Sequence, residues 1–184
     1  VTKKKLNSLE DIKGLKIRAP GPYGKMLENL GAKAVTLAFS EVYTSLATGV
    51  IDGVDGCNII DHRDGKFYEV GKWMYPLPVT GAQTCPLIVN MDAWNKLPDD
   101  LKAIVELAAL WGGDEWGMKS LIWERAALQE MMGHGLQWCP EPSSEDKTKW
   151  REAGMAVWPE YEAMNPHCKK LIDLQRKFIK DLGL

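Results

Sequence analysis

Residues 9–55 constrain the fold more than any other part of the sequence, because they read as two successive rounds of strand and helix. Pro20-Gly21-Pro22 ends the first apolar run abruptly, and Gly31 stands where a helix carboxyl-terminal cap is expected. This alternation is typical of an α/β fold with a parallel sheet. The predicted elements are strands at 15–19 and 34–37, helices at 23–30 and 40–46, and an extended segment at 48–55.

Arg18 lies at the carboxyl end of the first predicted strand, which is where open α/β sheets bind their ligands. Its guanidinium offers a planar fork of donors that matches a carboxylate in two parallel hydrogen bonds. A solvated or salt-bridged arginine at a strand end is the alternative interpretation. The sequence therefore makes Arg18 the first candidate for an anion-binding residue.

Polar and aromatic residues follow Arg18 along the chain and could line the same crevice. Asp55 and Asn58 come after the extended segment at 48–55 and could reach the same sheet edge. Trp73, Tyr75 and Gln83 supply aromatic walls and one amide. Most of the other tryptophans read as core or helix-packing residues.

Composition excludes several classes of protein. The 184 residues carry a net charge of −2, so the chain lacks the excess of positive charge expected of a protein that binds nucleic acid or an acidic membrane surface. No apolar run approaches the roughly 20 residues of a membrane-spanning helix, and no secretory signal is recognisable. Residues 1–5 are typical of a linker or strand edge, so we expect the chain to begin inside a larger protein.

Catalytic and metal-binding motifs are weak. His62, His134 and His167 have no partner at ligand spacing, and we interpret them as packing or surface residues. Asp52 or Asp55 could act as a base in an enzyme, although no nucleophile accompanies them. The four cysteines have no CxxC spacing, so they are either buried thiols or include one disulfide, for which Cys57 with Cys85 is the pairing we expect.

The rest of the chain predicts a mainly helical second half. Gly112-Gly113 should weaken or bend the longest of these helices. The predicted elements are helices at 59–68, 92–96, 99–132, 145–163 and 167–182, an extended segment at 70–75, a buried strand at 84–90 and a strand at 135–139.

Short motifs in a fixed order give the chain a resemblance to a known family. The runs LEDIKGLKIR, LGA, SEVY, TGVIDG, FYEV and LPDDL at residues 9–18, 30–32, 40–43, 48–53, 67–70 and 97–101 carry it. Together they resemble the extracytoplasmic solute-binding subunits of tripartite ATP-independent periplasmic (TRAP) transporters, the DctP family. The tail, with Asn165-Pro166 and an amphipathic final helix, resembles the branch that binds 2-oxo or 2-hydroxy monocarboxylates.

The resemblance implies a periplasmic-binding-protein-like fold, a two-domain α/β clamp with long carboxyl-terminal helices, of which most of the first domain is absent here. Residues 1–83 would form the second lobe, 84–134 a crossover strand and long helices linking the lobes, and 135–184 a strand and helices that support a dimer. The protein would be exported to the periplasm, with its signal peptide and first domain outside this chain.

The resemblance also implies a function and a site. The protein would capture a small organic acid without transforming it and deliver it to a sodium-driven permease. Arg18 would bind the substrate carboxylate, with Asn58, Trp73 and Gln83 around it. Asp55, the carbonyl of Gly56 and Gln83 would hold a sodium or calcium ion bridging to substrate. The alternatives are a C4-dicarboxylate or aromatic-acid ligand, an enzyme acting on a small acid, and a purely structural helical partner.

Overall fold

Three short parallel strands form the central sheet in the computed structural model, which describes residues 1–77 and 86–183. They are β1 (Lys16–Arg18), β2 (Lys33–Val35) and β3 (Gly53–Val54), in the spatial order β2-β1-β3. Arg18 pairs in register with Val35 on one side and Val54 on the other. The α/β expectation is therefore confirmed.

Two helices cross over between these strands and cover opposite faces of the sheet. Helix α1 (Pro22–Asn29) begins with proline and is followed by Gly31 at a positive φ of 90°. It packs into a first core that contains Ile17, Met26, Leu27 and Trp150. Helix α2 (Phe39–Thr48) packs into a second core that contains Val42, Leu46, Val54 and Phe67.

The backbone of Thr2 joins this sheet to a second one. Thr2 forms antiparallel bridges with Gly53 of β3 and with Trp73. Trp73 begins strand β4 (Trp73–Met74), which pairs in parallel with β5 (Gln137–Trp138). Strands β1, β3, β4 and β5 thus run in the same direction, and their carboxyl ends meet at one edge.

Helices make up most of the remaining described chain. A single turn of 3-10 helix spans Leu9–Ile12. No helix of the described residues is both long enough and apolar enough to cross a membrane. The α-helices are α3 (Ile59–Asp64), α4 (Phe67–Val70), α5 (Met91–Lys96), α6 (Asp99–Gly133), α7 (Ser144–Met155), α8 (Trp158–Glu162) and α9 (Pro166–Asp181).

Two predicted helices are each divided in the structure. The helix expected at 59–68 is broken between α3 and α4, where Lys66 adopts a positive φ of 53°. The helix expected at 145–163 is broken between α7 and α8 just before Pro159. Proline has no N–H and collides with the preceding turn, so it is tolerated only in the first turn of a new helix.

The strand expected at 84–90 is wrong over its described part. Residues 86–90 have no regular secondary structure, and Ile88 is 86% exposed. A strand needs a neighbouring strand to satisfy its backbone N–H and carbonyl groups, and no described strand pairs with this segment. Thr84 and Cys85 lie outside the described residues.

Helix α6 continues through Gly112-Gly113 for 35 residues, so the two glycines do not interrupt it, and the predicted weakening or bend stays a prediction. Glycine weakens a helix by only about 1 kcal/mol, which neighbouring turns can offset. Among the described residues, only the last part of α6 is anchored, because Ala127 and Met131 are its buried residues and α3 is its main neighbour. The preceding turns carry many exposed apolar side chains, including Leu107, Leu110, Trp111, Met118, Leu121 and Ile122.

Candidate functional site

Arg18 is a buried guanidinium at the carboxyl end of β1, with only 8% of its surface exposed. Its Nε donates to the backbone carbonyl of Leu37 at 3.3 Å. Its Nη1 donates to the Cys57 thiol at 3.4 Å. Among residues 1–77 and 86–183, no carboxylate forms an ion pair with it.

This arrangement is electrostatically costly, because a buried charge usually needs a paired counter-charge. A carbonyl and a thiol accept two of the five N–H groups of Arg18 and supply no negative charge. The site can therefore accept an anion from outside, and a carboxylate matches the guanidinium fork best.

Asp55 and Gly56 form the turn directly beside Arg18. The Asp55 backbone N–H donates to the Arg18 carbonyl at 2.8 Å, and the Asp55 carboxylate accepts from the Gly56 N–H at 2.7 Å. Burial raises the pKa of the Asp55 carboxyl above its ordinary value. Gly56 has a φ of 76°, and a Cβ there would lie 2.5 Å from Cδ of Pro20. Only glycine fits this turn.

The described residues include only part of the cation site predicted at Asp55, Gly56 and Gln83. No group of three described histidine, cysteine, aspartate or glutamate side chains could hold a metal ion. The Asp55 carboxylate is already turned onto the Gly56 N–H. Gln83 lies outside the described residues. The cation site therefore stays a prediction, and no step of the proposed function uses a cation.

Asn58 begins helix α3 close to the same edge. Its side-chain oxygen accepts from the Asp61 N–H at 2.8 Å, and the Asp61 carboxylate accepts from the Asn58 N–H at 3.1 Å. This reciprocal pair is a helix cap. The amide nitrogen of Asn58 has no partner among the described residues, so it is free to donate to a ligand.

His62 lies one turn further along α3 and is buried, with 5% of its surface exposed. Its ring meets Phe67 edge-on at 5.8 Å between centroids, and its Nδ1 has no hydrogen-bond partner in the part of the chain that the structure describes. Burial, with a smaller contribution from nearby positive charges that include Arg18, lowers the pKa of His62 well below its ordinary value. The imidazole is therefore neutral beside the guanidinium.

Trp73 is not brought to Arg18. Trp73 and Gly53 both lie opposite Thr2, one on each side of it, and Gly53 in turn lies opposite Ile17 in the neighbouring strand. Because side chains alternate between the faces of a sheet, Trp73 shares the face of Ile17, and Arg18 projects from the opposite one. Both Trp73 and Ile17 accordingly belong to the first core. Lys5 Nζ lies 5.3 Å from the Trp73 ring centre.

Tyr75 follows β4 at the carboxyl edge and also packs against the first core. Its hydroxyl is buried and has no hydrogen-bond partner within the described ranges 1–77 and 86–183. Burial, with smaller effects from Asp146, Cys139 and Asp11, raises the pKa of Tyr75 to about 12. The hydroxyl therefore remains a neutral donor.

The other candidate groups have structural partners. The Asp52 carboxylate accepts from the Lys16 N–H at 2.8 Å, at the amino end of β1 and away from Arg18. His134 stacks on Tyr68 at 5.7 Å, and His167 is exposed in the first turn of α9. Cys57 forms no disulfide with another described cysteine, and Cys85, its expected partner, lies outside the described residues, so that pairing stays a prediction.

Sequence reasoning missed two groups that contact Arg18. The Leu37 carbonyl and the Cys57 thiol depend on how the loops after β2 and β3 fold over the sheet edge. No residue pattern marks a backbone carbonyl as a ligand. The spacing of Cys57 after the Asp52-Gly53 pair was the available signal, because it places the thiol past the end of a strand adjacent to β1.

Residues 1–164 match the family described as bacterial extracellular solute-binding protein, family 7 (DctP). The chain belongs to this family. The TRAP resemblance read from the short motifs is confirmed, and so is the fold it implied.

Two curated relatives and one solved structure show what such proteins bind. The chain is 32% identical over 114 residues, 59% of its length, to a monocarboxylate 2-oxoacid-binding periplasmic protein from Nostoc sp.. It is 32% identical over 149 residues, 78% of its length, to a C4-dicarboxylate-binding periplasmic protein from Rhodobacter capsulatus. A TRAP periplasmic solute-binding protein from Sulfitobacter sp. NAS-14.1 with bound β-D-galacturonate matches over 96% of the chain, at 26% identity and a TM-score of 0.73.

The match leaves a large part of each relative unaccounted for. It spans 30% of the Nostoc protein, 43% of the Rhodobacter protein and 57% of the solved Sulfitobacter chain.

Proposed function

We propose that this chain is part of a solute-binding protein of a TRAP transporter, which captures a small organic acid through Arg18 and releases it unchanged. One observation carries the proposal: the Arg18 guanidinium is buried, and no described carboxylate pairs with it. A ligand carboxylate supplies the missing negative charge and forms charge-assisted hydrogen bonds.

The ligand we favour is a 2-oxo or 2-hydroxy monocarboxylate. The named ligands of the relatives are a 2-oxoacid, C4-dicarboxylates and galacturonate, which are all acids. A monocarboxylate balances the charge of Arg18, whereas a dicarboxylate needs a second cation. The Asn58 amide, which lies near the same edge, can donate to a 2-oxo or 2-hydroxy oxygen. A dicarboxylate is the second candidate, supported by the Rhodobacter relative.

Capture requires a second lobe to close over this edge, and α6 supports its existence. Leu110 and Trp123 are both exposed and lie about 140° apart around the helix axis, at about 100° per residue. A helix that is apolar on several sides is normally buried. We propose that α6 and the exposed residues 86–90 contribute to the core of a lobe formed by polypeptide corresponding to the unmatched part of the relatives. Residues 1–83 then form the present lobe, 84–134 the connection and 135–184 the terminal unit.

Membership of the family supports a proposal for the partners. We propose that the loaded protein acts in the periplasm and delivers its acid to a sodium-driven TRAP permease. Helix α9 supports a homodimer, because Leu171, Leu174, Phe178 and Leu182 form an exposed apolar stripe on it. An enzyme is disfavoured, because the Asp52 carboxylate is bound to the backbone away from Arg18.

A thermal-shift screen of the complete protein tests the proposal. Pyruvate, lactate, succinate, orotate and D-galacturonate form the panel, and a ligand of the folded state raises the unfolding midpoint. We expect pyruvate or lactate to give the largest shift, and mass spectrometry to recover the acid unchanged. A chemically altered acid, or no shift with any member, would contradict the proposal.

A further inference from the structure

The hydrogen bond from Arg18 to Cys57 is a weak contact within the site, because its acceptor is a thiol sulfur. Nη1 of Arg18 lies 3.4 Å from Sγ of Cys57, and thiol sulfur is a poor acceptor. By contrast, Nε of Arg18 is held by the Leu37 carbonyl, a normal oxygen acceptor. A backbone oxygen thus accepts from Nε at 3.3 Å, whereas a terminal nitrogen has only a thiol sulfur as its acceptor.

We propose that Cys57 acts as a placeholder: its thiol accepts a hydrogen bond from Arg18 in the unliganded protein, and the ligand carboxylate displaces the thiol when it binds. This inference rests on the proposed function and names a residue that controls the affinity of the same site. In the unliganded protein the thiol satisfies one N–H of the terminal nitrogens. A carboxylate replaces it with two charge-assisted bonds, while Leu37 continues to hold Nε.

The environment of Cys57 fits this role. Burial raises the pKa of the Cys57 thiol, although the charge of Arg18 opposes the rise. The thiol is therefore neutral at physiological pH and does not compensate the guanidinium. The carboxylate of Asp61 is also near, but it accepts from the Asn58 N–H in the helix cap. The charge of Arg18 thus stays available to an external anion.

A pair of variants of equal size tests whether position 57 occupies the ligand's place. In the complete protein, Cys57→Asp supplies an internal carboxylate to Arg18, whereas Cys57→Asn supplies a neutral side chain of the same shape. We expect Cys57→Asp to weaken binding of pyruvate, succinate and D-galacturonate by about 30-fold or more, because the guanidinium is already paired. Cys57→Asn and Cys57→Ala are expected to bind within about tenfold of wild type.

Thermal unfolding without ligand checks that the aspartate reaches Arg18. The Cys57→Asp midpoint should exceed that of Cys57→Asn, since it neutralises a buried charge. Equal affinities of the Asp and Asn variants for each of the three acids would overturn the inference. So would an Asp midpoint at or below the Asn midpoint.

Alkylation of the wild-type thiols gives an independent readout. A bound carboxylate covers Cys57, so it should slow the reaction of Cys57 with iodoacetamide, measured peptide by peptide by mass spectrometry. Cys168, which lies in α9, is the matched control and should react at an unchanged rate. Unchanged Cys57 labelling at a saturating acid concentration would contradict the inference.

Calorimetry of the same samples separates the two proposals. Binding without protection of Cys57 removes the placeholder role and leaves the proposed function intact. Absence of binding by all three acids removes both.

Discussion

Arg18 and Asp55 are hydrogen-bonded through their backbones at 2.8 Å, yet the Asp55 carboxyl forms no ion pair with the Arg18 guanidinium. Arg18 lies opposite Val54 in the neighbouring strand β3. Because successive side chains of a strand point to opposite faces, Asp55 projects away from the guanidinium. The register of β1 and β3 thereby keeps the nearest acid in the sheet from neutralising Arg18.

Replacing Arg18 should separate ligand binding from stability. Arg18→Met removes a buried charge but keeps most of the side-chain volume, so the free energy of unfolding should stay equal or rise by about 1–4 kcal/mol. Acid binding measured by calorimetry should weaken by about 2–5 kcal/mol. Arg18→Lys should also lose most binding, because lysine lacks the planar fork. Wild-type affinity in either variant would contradict the assignment of Arg18.

Two glycine substitutions should have opposite effects on stability. Gly56→Ala places a methyl group against Pro20 at a left-handed φ, so the free energy of unfolding should fall by about 2 kcal/mol or more. Gly112→Ala lies inside α6 with nothing within 4 Å and should stabilise the protein by about 0.5–1 kcal/mol. Chemical denaturation measures both. A neutral Gly56→Ala would show that the turn tolerates a side chain.

His62 should make stability depend on pH. Its pKa is lowered well below 6.5 in the folded state, so below about pH 6.5 the unfolded chain binds a proton that the folded protein does not. This contribution to stability is therefore complete above pH 6.5 and is lost as the pH falls, with a slope approaching about 1.4 kcal/mol per pH unit. Urea unfolding of the wild type and of His62→Gln measures it as the difference between the two proteins.

The exposed His167 provides the control for this measurement. We expect His167→Gln to keep the wild-type slope and His62→Gln to flatten it. A slope that is the same in wild type and His62→Gln would show that His62 is not the group responsible.

Disrupting the apolar stripe of α9 should reduce self-association. Leu174→Glu places a charge among Leu171, Phe178 and Leu182, which a dimer interface would have to bury. Lys180→Gln changes the net charge by the same amount near the opposite side of the helix. Sedimentation velocity should show a loss of dimer for Leu174→Glu alone. A wild-type protein that is monomeric at high concentration would remove the dimer proposal.

The strand–helix alternation predicted the sheet and the place of Arg18 within it, because these depend on local apolar runs and helix caps. The division before Pro159 was missed because acidic and apolar residues continue the helical pattern on both sides of it. Residues 86–90 have the composition of a strand, but pairing partners are a property of the whole fold. The Leu37 and Cys57 contacts were missed for the same reason, since they depend on loop conformation.

Because α6 is attached near its carboxyl-terminal end, a small rotation there moves its amino-terminal end over a larger distance. Its anchored end packs on α3, the helix that Asn58 caps and that carries His62, while the 25 residues from Asp99 to Trp123 extend about 37 Å beyond. A rotation of about 5° at the anchor moves the far end by about 3 Å over this length. A rotation of this size at α3 would therefore displace the amino-terminal part of α6 by about the diameter of a water molecule.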